Sequence, residues 1–206
     1  MDREGLSQQV QALFAASIAT KQKMVEDQSY SATLVAMAET MAACLKNGGK
    51  ILMCGNGGSA ADAQHLAAEL LIRLRPQVNR QGIPALALAT DTSSITACGN
   101  DYSFEAYFSR MTAALGRPGD VLLGISTSGK SPNVILALQE AKRLGMIPMG
   151  FLGGNGGPML AHCQLALVVP SGVTGRVQEA HIMAGHALME LVEDLLLDAG
   201  YFTLPT

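Results

Sequence analysis

Five short apolar runs, each set between segments of helical character, constrain the fold of this chain more than any other feature. They are residues 50–54 (Lys50-Ile51-Leu52-Met53-Cys54), 85–89, 121–125, 146–152 and 165–169. Continuous apolar runs of this length read as strands buried on both faces, the kind a parallel sheet is made of. Residues 3–27 and 30–47 have helical spacing instead. Leu6, Val10, Leu13, Phe14 and Ile18 recur on one face of the first, and Leu34, Ala38, Met41 and Leu45 on one face of the second. Asn47-Gly48-Gly49 stops the second helix. Further helices are predicted after Ser59, from Asp91-Thr92-Ser93-Ser94, over 133–144, in a short form within the glycine-rich stretch 153–162, and over 176–198. In the last of these Val177, Met183, Ala184, Leu188, Leu191 and Leu195 make the apolar side. The expected fold is α/β and three-layered: a five-stranded parallel sheet with helices on both faces, in one domain over 1–206. Residues 1–47 form its helical N-terminal segment and 48–206 its core.

In such sheets ligands bind beyond the carboxyl ends of the strands. Two strand-to-helix loops lie on that edge. The first, Gly55-Asn56-Gly57-Gly58-Ser59, opens a helix whose unpaired N–H groups and positive dipole end suit an anion. That helix carries His65 and Glu69 four positions apart, so their Cβ atoms lie roughly 5–6 Å from each other on one face. The second loop is Ser126-Thr127-Ser128-Gly129-Lys130-Ser131, in which four of six residues bear hydroxyls. A helix N-cap uses one or two of those; phosphate binding uses them all. On the last helix Gln178 and His186 are eight apart, about 12 Å along the axis. Two histidines, a carboxylate and an amide could hold one Zn²⁺-like ion and leave room for substrate oxygens. The plainer alternative is that His65 and Glu69 are an ordinary helix-surface pair. His181 reads as a packed or exposed histidine outside this set.

Two other motifs match weakly. Gly124 to Ser131 fits the G-x-x-x-x-G-K-[ST] phosphate loop, but Pro132 follows at once and no apolar strand ending in Asp completes a magnesium site. Gly55-x-Gly57-x-x-Ala60 fits a dinucleotide fingerprint, but the acid at the end of the second strand, Asp91, comes too late.

Composition narrows the partners. Hydrophobic residues are 49% and charged residues 15%, which leaves little polar surface for a monomer and predicts a homo-oligomer. A net charge of −3 offers no footprint for nucleic acid or an anionic membrane. No apolar run approaches the roughly 20 residues of a membrane span, and MDREGLSQQ is not expected to be a signal peptide. The four cysteines, Cys44, Cys54, Cys98 and Cys163, show no paired spacing and read as buried free thiols of a cytoplasmic protein.

The segments GNGGSAADAQHLAAE, GNDYSFE, GDVLLGISTSGKSPNV and RVQEAHIMAGH, in this order over nearly the whole chain, resemble the sugar isomerase (SIS) family, and within it the phosphoheptose isomerases. The resemblance implies a flavodoxin-like sheet, N-terminal helices packed into a homotetramer, and active sites shared between subunits. It implies sugar-phosphate contacts at Asn56, Gly57, Gly58, Ser59, Asn100, Asp101, Ser126, Thr127, Ser128 and Ser131, with Glu69 and Gln178 also at the substrate. It implies Zn²⁺ ligands at His65, Glu69, Gln178 and His186, with Glu69 and His186 as the acid/base pair. One departure stands out: some members carry Asp before the Arg of the RxQE-type motif, where this chain has Gly175.

The implied reaction converts sedoheptulose 7-phosphate to D-glycero-D-manno-heptose 7-phosphate, the first step toward activated heptoses of bacterial surface glycans. It is a ketose–aldose isomerisation through an enediol(ate), which needs a base at carbon and a group that stabilises the oxyanion. A glutamate with its lone pair committed to zinc is a poorer base, so Glu69 must bind through one oxygen or leave the ion when substrate arrives. A different expectation comes from a non-catalytic scaffold of the same family that binds the replication initiator DnaA and shares fold and loops. That branch has a small residue in place of Glu69; His65, Glu69, Gln178 and His186 together favour the enzyme.

Overall fold

A computed structural model describes residues 2–202; Met1 and residues 203–206, which the expected domain also includes, lie outside the described residues. Helix α1 (Arg3–Glu26) and helix α2 (Gln28–Lys46) share a hinge at Asp27. The Asp27 carboxylate accepts the backbone N–H of Ser29 at 2.9 Å, so α2 starts at Gln28, two residues before the position its spacing predicted. The sheet and its helices follow: β1 (Ile51–Gly55), α3 (Gly58–Leu71), β2 (Ala85–Ala87), α4 (Thr92–Asp101), α5 (Tyr107–Leu115), β3 (Val121–Ser126), α6 (Pro132–Arg143), β4 (Ile147–Gly153), β5 (Leu165–Val169) and α7 (Thr174–Asp198).

All strand pairs are parallel and the order is β2-β1-β3-β4-β5, the flavodoxin-like arrangement that was expected. β2 has three residues rather than five, because it is an edge strand paired only along Ile51–Met53. Side chains alternate across the sheet. Ile51, Met53, Leu123, Ile125, Phe151 and Leu167 pack with α2, α3 and α7, while Leu52, Cys54, Leu122 and Leu152 pack with α5 and α6. Burial on both faces explains why the runs are continuously apolar.

The predicted stripe on α1 faces outward. Leu6, Val10, Leu13, Phe14 and Ile18 are all exposed in the single chain, as is Met183 on the expected apolar side of α7. On α2, by contrast, Ala38, Met41 and Leu45 are buried against the sheet and α7. No helix among the described residues is long and apolar enough to cross a membrane.

The strand order reverses between β1 and β3, since the chain moves from β1 to β2 on one side and then returns to β3 on the other. A crevice opens at such a point beyond the carboxyl ends. The loops after β1 and β3 flank it.

Candidate active site

The crevice is tied together by a pair of buried or half-buried amides. Asn56, after β1, donates to Asn133 Oδ1 at 2.9 Å, and Asn133, in the first turn of α6, donates back to Asn56 Oδ1 at 2.8 Å. Asn133 Oδ1 also accepts the N–H of Val134. The Asn56 amide, which the resemblance places on the substrate, is thus bound to its neighbour and couples the two loops. Nothing in the spacing of the sequence marked Asn133.

The loop after β3 has its hydroxyls prearranged. Ser126 Oγ and Ser131 Oγ lie 2.9 Å apart, Ser126 Oγ accepts the N–H of Gly129, and Ser128 Oγ accepts that of Lys130. Pro132 takes the first helical position of α6, where its missing N–H costs nothing and its φ suits the helix. Gly129, at φ +63°, lets this loop press onto the turn after β4: a Cβ there would sit 2.0 Å from the Gly156 carbonyl oxygen.

At the start of α3, Gly57 and Gly58 are exposed and Ser59 is buried against Gly55. The Gln178 amide from α7 lies over Gly58, where an added Cβ would come within 2.2 Å of Gln178 Nε2. Two turns along, the residues that the sequence placed on one face meet a residue 121 positions away. His65 Nε2 lies 2.8 Å from His186 Nε2, with the rings edge to face, and 3.3 Å from Glu69 Oε1. The donor atoms of His65, Glu69 and His186 are all within 4.8 Å of one another. His65 is half exposed and Glu69 is mostly covered, so the group opens to solvent on one side.

At 2.8 Å one ring can donate its N–H to the lone pair of the other, and with both lone pairs free the two nitrogens would serve as ligands to a cation. Two imidazoles and one carboxylate are a donor set that suits Zn²⁺, and Gln178, on the same helix as His186, lies at the mouth of α3 with its Nε2 nearest Gly58. The residues fit such an ion.

Asn100 and Asp101 stand apart. They end α4, are exposed, and bond to each other at 2.8 Å; among the described residues no hydrogen bond joins them to either loop. Asp101 lines a separate cleft with Tyr102, Tyr107 and Arg110, whose guanidinium stacks 3.8 Å over the Tyr102 ring. Thr127 is half-buried in the β3 loop, with its carbonyl oxygen against Gly153.

Cysteine chemistry finds no support. Burial pushes the Cys54 thiol up to about 12 and those of Cys44 and Cys163 up to about 11, so all three stay protonated at neutral pH. His181, outside the group, is fully buried and stacked near Phe151, with Nε2 3.0 Å from the Leu152 carbonyl oxygen.

Residues 13–153 match the family model described as the SIS domain. The chain is 58% identical over 167 residues to the phosphoheptose isomerase of Chlorobaculum parvum, covering 81% of this chain and 80% of that protein. Among solved structures, phosphoheptose isomerase GmhA from Neisseria gonorrhoeae superposes with a TM-score of 0.84 at 46% identity, over 92% of this chain and 99% of that one. A phosphoheptose isomerase from Francisella tularensis gives the same TM-score at 36% identity, over 91% and 97%.

Proposed function

The chain belongs to the SIS-domain family, among its phosphoheptose isomerases, and on that premise we propose that it interconverts sedoheptulose 7-phosphate and D-glycero-D-manno-heptose 7-phosphate. The observation that carries this is the meeting of His65, Glu69 and His186 next to two coupled anion-type loops. The phosphate is held by Ser126, Thr127, Ser128 and Ser131, with N–H groups at the start of α6, so the sugar is oriented from its far end. Glu69 takes the proton at C1, and His186 supports the oxygen at C2 and returns a proton. Both groups occupy facing helices and so hold fixed positions toward the substrate chain. Gly57, Gly58, Ser59 and Gln178 complete the sugar contacts from this chain, while Asn100 and Asp101, which stand apart from its loops, contribute from a neighbouring subunit; Asn56 serves mainly by holding Asn133. A bound Zn²⁺, held by His65, Glu69, Gln178 and His186, would supply Lewis-acid polarisation of the sugar's carbonyl.

The exposed stripe of α1 supports a homo-oligomer, and the family resemblance favours a tetramer with sites at subunit interfaces. Free thiols at all four cysteines fit a reducing compartment, the cytoplasm.

A coupled assay on sedoheptulose 7-phosphate, run with and without a chelator, tests the proposal. Turnover that disappears with the chelator and returns with added Zn²⁺ is the expected result. Absence of turnover in zinc-loaded protein, with DnaA retained in a pull-down, would replace the enzyme by the scaffold.

A further inference from the structure

Between α3 and β2 the chain runs without regular strand or helix over residues 72–84 and carries two arginines to one acid. Glu193 of α7 is fully buried, and each of its oxygens takes a separate guanidinium. Arg75 Nε donates to Oε1 at 2.7 Å, and Arg80 Nε donates to Oε2 at 2.6 Å. Arg75 continues outward to Glu190 and Asp194 on the same helix.

Arg80 turns inward. Its side chain has no exposure, and the Phe202 ring covers it, with the guanidinium carbon 5.9 Å from the ring centre. Three further N–H groups go to backbone oxygens: Nη2 to the Glu69 carbonyl at 2.8 Å, Nη1 to the Leu70 carbonyl at 2.9 Å and to that of Gln81 at 3.1 Å. Glu69 and Leu70 are in the last turn of α3, where carbonyls have no partner within the helix. One planar guanidinium therefore spans from the backbone of Glu69 to a carboxylate on α7. That carboxylate belongs to a residue seven positions beyond His186, about 10 Å along the helix.

A buried ion pair is a poor device for stability alone, because desolvation offsets much of the attraction and apolar packing serves as well. Rigid placement is what a fork of directed hydrogen bonds supplies. We propose that Arg80, held by Glu193, is a positioning residue for the site: it locks the end of α3 to α7 and so sets the spacing of His65 and Glu69 against His186. This rests on the assignment of those three residues to metal binding and proton transfer. Displacement of a reacting group by about 1 Å can cost 100-fold in rate, so a loosened clamp shows in chemistry before it shows in substrate binding.

The test is Arg80→Lys, which keeps the charge but cannot bridge Glu193 and two carbonyls at once, with Glu193→Gln beside it. Zinc affinity of the metal-free tetramer or other native oligomer is measured by competition with a chromogenic chelator, and kcat and KM are measured on the zinc-saturated protein. Expected for Arg80→Lys are a tenfold or greater loss of zinc affinity and of kcat, with KM within about twofold, since the phosphate loop lies on other elements. A merely structural role predicts a lower melting temperature with zinc affinity and kcat per folded molecule unchanged, and that result overturns the proposal. If Arg80→Lys does not fold, Glu193→Gln decides by the same two readings. Wild-type protein that neither binds zinc nor isomerises the sugar would defeat the functional assignment and the clamp together; a competent wild type with an equally competent Arg80→Lys defeats the clamp alone.

Discussion

His65 and His181 show how one residue type takes opposite roles according to what surrounds it. His65 faces His186 and Glu69 at an open edge, whereas His181 is buried with Nδ1 lacking any hydrogen-bond partner among the described residues and Nε2 on the Leu152 carbonyl. Burial pushes the His181 pKa down, so the folded protein keeps it neutral. The unfolded chain takes up a proton near its ordinary value of about 6.5. Between that pH and the depressed folded value the unfolded state binds more protons, so stability falls as pH drops, by up to about 1.4 kcal/mol per pH unit. Urea denaturation of the wild type and of His181→Gln from pH 7 to 5 should show a shallower pH dependence in the variant; equal slopes would refute the role. For Glu69→Gln the expectation is a fall in kcat of at least about 100-fold, the usual scale for a general base, with phosphate-dependent substrate binding retained in calorimetry. Near-normal kcat would remove Glu69 from the chemistry.

Between elements, the contact of α3 with α7 is where the site is made, and Gly58 is its tightest point. Any side chain there strikes the Gln178 amide, so Gly58→Ala should push Gln178 aside while β1, β3 and the core stay in place. We expect a drop in zinc affinity and kcat with little change in the far-ultraviolet circular dichroism; unchanged zinc affinity would show that Gln178 is not a ligand. Much at this scale could be read from local pattern. The i,i+4 spacing put His65 and Glu69 on one face, and hydroxyl density marked the Ser126–Ser131 loop. The amide bridge from Asn56 to Asn133 and the arginines of residues 72–84 had no such pattern, because their partners are 77 and more than 110 residues away.

For the whole molecule, the outward stripe of Leu6, Val10, Leu13, Phe14 and Ile18 is the surface most in need of cover. Charging it with Phe14→Glu and Ile18→Glu should reduce the assembly to smaller species in light scattering, and activity should fall with it if subunits share sites. An unaltered molar mass would move the interface elsewhere. α1 also touches the site's own helix: Ser17 donates to Glu179 at 2.5 Å, and Arg176 donates to the Leu13 carbonyl. Association through α1, as proposed, would therefore bear on the helix of Gln178 and His186.

Periodicity and composition alone determined the five parallel strands, their two-sided burial and the presence of both loops on one sheet edge, since each follows from hydrophobic spacing within a few residues and from the rules of parallel connection. Only the tertiary structure decided that His186 comes to rest 2.8 Å from His65, and that Glu193 lies between Arg75 and Arg80. Those meetings depend on how α7 packs against α3, and the rotation and translation of one helix on another are set by side-chain interlock across the interface, which no local spacing encodes.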